Sequence, residues 1–264
     1  RALGADAVAT GHYARVDRDP ASGDWRLRRA VDPHKDQSYY LFDLRQEQLA
    51  RIEFPLGELA KPDVRERARS LGLRTADKPE SQEICFVPDG DYARVVEAIR
   101  PERLPGEGEI VDELGRVLGR HAGIHHFTVG QRRGLGLASE RRLYVKRIDA
   151  AANRVVVAGV ESLGSAGARL ERVAWIAGAP PAGELRASVQ VRYRHEGAAA
   201  RIVPGGAGAQ VHFDAPVRAV APGQAAVFYD GDEVLGGGWI AETFAADAPA
   251  VAAKPEPAAP EAHP

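Results

Sequence analysis

The sequence predicts an α/β region followed by two mainly β regions, the last of them a small barrel. Three observations carry this. Residues 7–10, Ala-Val-Ala-Thr, are small and apolar and run into Gly11-His12, as an interior strand of a parallel sheet does at its carboxyl end. Lys61-Pro62-Asp63 opens a well-marked helix. After Pro88, short strands separated by Gly and Pro turns take over, the most regular at 186–194. The regions are read as 1–98, 99–162 and 163–244, with an Ala/Pro-rich tail at 245–264 that lacks core residues and is expected to be disordered.

Composition narrows the function classes. The 264 residues are 44% hydrophobic and 27% charged with a net charge of -2, so nucleic-acid binding would have to come from a local basic patch. A single cysteine excludes a disulfide framework within the chain and a multi-cysteine metal site, and it suits a reducing cytoplasm. No apolar run is long enough to span a membrane and no signal peptide is seen, so a cytoplasmic location is expected. There is no methionine, and the chain opens in mid-pattern at Leu3-Gly4-Ala5-Asp6. The expectation is that an N-terminal part precedes Arg1.

The elements follow in order. Gly11 allows close backbone approach to a ligand, and His12 beside it reads equally as a ligand contact or a solvated loop histidine. Residues 12–17 and 25–31 form a hairpin around the turn-rich 19–24. Lys35-Asp36-Gln37-Ser38 offers donors and acceptors but no core, and fits an exposed helix start. In the helix from Lys61, Val64, Ala68 and Leu71 give a buried stripe and Gly72 ends it. A short helix at 91–99 leads into strand pairs at 108–112/116–119 and 143–148/154–157. In 186–194 the alternation puts Ala187, Val189, Val191 and Tyr193 inside and Arg192 and Arg194 on the outer face. Further strands are read at 200–203, 209–213, 225–229 and 233–240.

Chemistry-bearing residues are few. Cys85, in Ser81-Gln82-Glu83-Ile84-Cys85-Phe86-Val87, is the one thiol. Read locally it is a packing residue, because Glu80 and Glu83 would disfavour a thiolate. His121, His125 and His126 form an H-x-x-x-H-H run without a visible further ligand, so no metal site is expected. There is no P-loop, no Rossmann fingerprint and no hydrolase elbow. Arg132/Arg133, Arg141/Arg142, Lys146/Arg147 and Arg192/Arg194 all fall in the β-rich half and together point to nucleic acid.

Taken in order, several motifs carry a resemblance. They are Ala9-Thr10-Gly11-His12-Tyr13-Ala14-Arg15, Lys35-Asp36-Gln37-Ser38-Tyr39, Phe54-Pro55-Leu56-Gly57, the Cys85 stretch with Lys78, and Gly119-x-His121-x-Gly123 with Thr128-x-Gly130-Gln131-Arg132-x-Gly134-Leu135. Val191-Arg192-Tyr193-Arg194 and Ala221-Pro222-Gly223-Gln224-Ala225 complete the set. Together they resemble the bacterial tRNA-specific 2-thiouridylases, from the first residue to about Ile240. The resemblance implies the C-terminal part of a PP-loop nucleotide-binding domain (adenine nucleotide alpha hydrolase-like), a small central domain and a C-terminal β-barrel. It also implies ATP, with Mg²⁺, adenylating the wobble uridine of tRNA, and a cysteine persulfide, loaded by a sulfur-relay partner, replacing the activated oxygen. By matching motif, Cys85 would bear the persulfide and Gly11 would contact ATP. His12, Lys35, Asp36, Gln37, Arg192, Tyr193 and Gln224 would contact tRNA. The family's Ser-Gly-Gly-x-Asp-Ser phosphate loop and its first catalytic cysteine do not occur in these 264 residues, so the chain alone is expected to be inactive. Two rival readings are a non-catalytic RNA-binding β module and another PP-loop ATP pyrophosphatase.

Overall fold

The computed structural model describes residues 4–77, 92–99 and 101–245. Strands dominate, in three sheets. The first pairs β1 (Val8–Ala9) in parallel with β4 (Ile52–Glu53). The hairpin β2 (Ala14–Arg18) and β3 (Trp25–Arg29), α1 (Gln46–Leu49), α2 (Lys61–Ser70) and α3 (Tyr92–Ile99) complete the first part of the chain. The central sheet has the order β6-β5-β8-β7, from β5 (Gly108–Val111), β6 (Val117–His121), β7 (Tyr144–Asp149) and β8 (Arg154–Ala158). Ile110, Val145, Val155 and Val157 are its closed core, with Leu135 folded over them from the loop.

The third sheet is the largest. β9 (Gly164–Trp175), β10 (Leu185–Gln190), β11 (Ala198–Gly205), β12 (Gly208–Arg218), β13 (Ala225–Asp230) and β14 (Glu233–Ala245) run in the order β13-β10-β11-β12-β9-β14. Pairing of β13 with β14 closes them into a six-stranded antiparallel barrel. Closure removes the free edges that an open sheet would expose. Period-two alternation then fills the interior with Leu170, Val189, Ile202, Val211, Phe228 and Ile240.

Several expectations are corrected here. Residues 7–10 do hold a parallel strand, but it is not buried: Val8 is 59% exposed, although Ile52 of its partner strand packs against the core. The helix at Lys61 has its Pro in the first turn and Asp63 at its positive end, and Gly72 follows it at φ +65°. Its stripe is at most half-buried, and Leu71 is 74% exposed. The hairpin forms in the expected place, with Asp19 Oδ1 accepting from the Ala21 and Ser22 amides. It belongs to the barrel's sheet, however: β3 pairs with β14 through Arg28↔Glu233 and Leu27↔Val234. The regular strand at 186–194 ends at Gln190, and Arg192–Arg194 form a turn in which Arg194 takes φ +66°. β9 occupies 12 residues to which no strand was assigned. Its Gly- and Ala-rich start and irregular register against β12 and β14 hide the alternation. Cys85 and the tail from 246 lie outside the described residues.

Candidate functional site

The site grows from one strand that is buried on both faces. In β13, Ala226 and Phe228 point into the barrel, while Ala225, Val227 and Tyr229 point outward. The segment between β3 and β4 covers that outer face with Tyr39, Phe42 and Leu49, joined by Phe54 just after β4. Gly237 of β14 lets Phe42 in, since a Cβ there would lie 2.8 Å from the ring.

Asp36 anchors the covering segment. Its Oδ1 accepts from the Ala30 and Ser38 amides at 3.1 Å each, and its Oδ2 accepts from Arg29 Nη1 at 2.8 Å and Ser38 Oγ at 3.0 Å. The residue is 8% exposed. The expected exposed helix start is thus a folded-in turn with its carboxylate saturated from inside. Arg29 also lies 3.5 Å over the Tyr229 ring and donates to Gln190 Oε1 at 3.2 Å. Gln190, on the barrel's outer face, is buried for that reason. Burial pushes the Tyr229 hydroxyl up to about 12, and the Tyr39 hydroxyl, which donates to the Ala225 carbonyl at 2.9 Å, also to about 12. Both stay neutral donors.

Around this anchor the structure gathers residues from three distant stretches. Tyr40 is 54% exposed and packs 4.9 Å from Tyr193, which is itself 6.3 Å from Tyr39. Arg194 sits 5.7 Å from the Tyr193 ring, and Arg192 Nη1 donates to the Arg218 carbonyl at 3.1 Å. Gln224 is exposed in the turn before β13, one residue from the carbonyl that holds Tyr39. Lys35 and Gln37 flank Asp36. The result is a rim of cations, amides and one exposed aromatic. Sequence reasoning missed Tyr40, Arg29 and Tyr229. The Tyr39-Tyr40 pair carried the signal for Tyr40, because adjacent residues in a tight turn cannot both face the core.

Gly11 and His12 connect to this rim through Tyr13. The Gln37 amide donates to the Tyr13 carbonyl at 2.9 Å, and the Tyr13 amide donates to Gln37 Oε1 at 3.0 Å. His12 Nδ1 lies 2.9 Å from Thr10 Oγ1, and its ring meets Phe54 edge-on at 6.2 Å. A Cβ on Gly11 would touch only Leu56 Cδ1, at 3.9 Å, so the strand end is open. The described residues near Gly11 form no phosphate cradle and no group of Mg²⁺-holding carboxylates. They do not by themselves fit a nucleotide's phosphates.

The other candidates separate. Lys146 and Arg147 are paired with Glu113 at 2.6 Å and Asp149 at 2.8 Å, whereas Arg132, Arg141 and Arg142 line an exposed groove of the central region. The histidine run splits: His121 is buried edge-on to Phe127, 5.5 Å between centroids, while His125 and His126 lie in a 3₁₀ turn beside α3. Burial lowers the His121 imidazole's pKa and keeps it neutral.

Comparison with known proteins adds to this geometry. Residues 1–89 match a family described as tRNA methyl transferase HUP domain, 95–159 its PRC-barrel domain, and 165–240 an aminomethyltransferase beta-barrel domain. A tRNA-specific 2-thiouridylase MnmA of Acidobacterium capsulatum is 53% identical over 249 residues, covering 91% of this chain and 67% of the relative. The chain belongs to the tRNA-specific 2-thiouridylase family. Members from Geotalea uraniireducens and Geobacter metallireducens are 52% and 53% identical, covering 91% of the chain and 64% and 65% of the relatives. The chain thus spans about two thirds of the length of these family members. Among the described residues no helix is long and apolar enough to cross a membrane.

Proposed function

We propose that, within its full-length protein, this chain takes part in ATP-dependent 2-thiolation of the wobble uridine of tRNA in the cytoplasm. The observation that carries this is identity of about one half to 2-thiouridylases across all three regions. The rim supports it. Lys35, Arg192 and Arg194 suit phosphates, and Tyr40 beside Tyr193 suits an unpaired base, which is how single-stranded RNA loops are recognised. In this reading His12, Lys35, Gln37, Arg192, Tyr193 and Gln224 face the tRNA. Asp36 acts from behind them as a positioning residue, since its oxygens are already taken. The uridine has to leave its stack to expose C2. In the full-length protein ATP, with Mg²⁺, would supply activation of the C2 oxygen, a poor leaving group otherwise, and Gly11 is the residue of this chain expected to contact it. Cys85 would carry the persulfide sulfur received from a relay protein.

The test is Cys85→Ser in the full-length protein, with 2-thiouridine in tRNA measured by nucleoside mass spectrometry. Product should fall to background while tRNA binding persists. Thiolation at the wild-type level would overturn the role given to Cys85, and a wild-type protein that cleaves ATP but forms no 2-thiouridine would favour another ATP pyrophosphatase chemistry. A wild-type protein that binds tRNA but never thiolates it would favour the RNA-binding module. The 264 residues alone should give no product.

A further inference from the structure

We propose that Glu97, His125 and His126 form a binding site for a divalent transition-metal ion of the zinc type. The three come from two elements that the sequence separates by 28 residues. Glu97 is on α3, and the two histidines are in the 3₁₀ turn Ile124–His126 of the central region. One ligand atom from each lies within 4.8 Å of the others, and this is the one such group among the described residues. His125 Nε2 is 3.1 Å and His126 Nε2 is 3.6 Å from the same oxygen, Glu97 Oε1. Zinc bonds of about 2.1 Å in a tetrahedron require ligand atoms about 3.4 Å apart, and the two distances bracket that value. The further ligand that the H-x-x-x-H-H run lacks is therefore a carboxylate brought in by folding, the third beside His125 and His126, while His121 is buried elsewhere.

Three further features favour an ion over a plain ion pair. Two imidazoles converge on one carboxylate oxygen, with ring centroids 4.1 Å apart, so three donor atoms of the metal-ligand type face one small volume. His125 is held, not loose: its side chain is 12% exposed, and a Cβ on Gly123 would lie 2.3 Å from its Cε1, so the backbone beside the ring is kept bare for it. His126 and Glu97 are each about two-fifths exposed, leaving an open side where water would complete the coordination. Two histidines, one glutamate and an open position suit Zn²⁺ in its four-coordinate geometry. An ion here would tie α3 to the central region. α3 also buries Ala93, and its Tyr92 Oη lies 3.3 Å from Thr128 Oγ1. The site does not depend on the thiolation reading.

The experiment uses the full 264-residue chain carrying Cys85→Ser, so that no thiolate competes for metal. The protein is dialysed against buffered Zn²⁺, and bound metal is counted by mass spectrometry. One equivalent is expected. His126→Ala and Glu97→Gln, both at partly exposed positions that should fold normally, should each weaken retention by at least tenfold. Co²⁺ in place of Zn²⁺ should give the intense visible bands of a tetrahedral ion, lost in either variant. Zn²⁺ should raise the melting temperature of the parent but not of the variants. Less than 0.2 equivalent bound by the parent, or retention unchanged in both variants, would overturn the site and leave an ordinary carboxylate–imidazole pair.

Discussion

Two strands of this molecule, β1 and β13, are opposite cases. Both are apolar runs, and both were read from the sequence as strands, with β1 expected to be buried. β13 pairs on two sides, fills the barrel with Ala226 and Phe228, and is roofed through Ala225, Val227 and Tyr229 by residues 39–54. Among the described residues β1 pairs only with β4, and Val8 is exposed. An apolar pattern therefore says that a strand can be buried. What lies above and below it decides whether it is. The same contrast separates α2, with no buried residue, from the 36–54 segment, whose short helix α1 buries Leu49 completely. The candidate site lies where burial is doubled, because side chains at a rim are held in place only if the layer beneath them is rigid.

The contrast can be broken most strongly at its centre. Phe228→Ala should cost about 3–5 kcal/mol, measured as a drop in the urea midpoint with unchanged slope. A loss under about 1 kcal/mol would show that the barrel interior does not carry the fold. Asp36→Ala should cost about 2–3 kcal/mol, because it strands the Arg29 guanidinium and two amides. It should also weaken tRNA binding by the full-length protein without touching the rim directly. If binding falls and stability does not, Asp36 contacts RNA itself.

A smaller effect is set by pH. Burial lowers the imidazole pKa of His121, His195 and His212, so the folded state binds fewer protons than the unfolded state as pH falls below about 6.5. Their contribution is complete above that value and is lost as pH falls through the lowered pKa values. The urea midpoint should therefore decline between pH 7.5 and 5.5, and His212→Gln should shallow the decline. The carboxylates of Asp17, Asp19 and Asp149 are lowered chiefly by hydrogen bonds from Arg26, from backbone amides and from Arg147 respectively, so their loss begins only near pH 4 and below. A midpoint flat down to pH 5 would mean the histidines do not couple to folding. Smallest of all, Leu71→Ala on α2 should change stability by less than about 0.5 kcal/mol. A larger loss would show that α2 is covered in solution.

By itself the sequence determined the class of each region and most of its strands, since period-two alternation, Gly/Pro turns and a Pro-first helix are local signals. It also carried the family, through ordered motifs whose spacing no single stretch shows. It named Lys35, Gln37, Arg192, Tyr193 and Gln224 without showing that they meet. Only the tertiary structure decided that Tyr193 meets Tyr39 and Tyr40 and that Gln224 follows onto the strand that holds Tyr39, because this depends on β13 being roofed by residues nearly two hundred positions away. Burial was decided there too. Asp36 became an internal anchor, Val8 stayed exposed, and Glu97 reached two histidines that had no partner in the sequence. The physical reason is the same throughout: alternation fixes which way a side chain points, and only long-range pairing fixes what it points at.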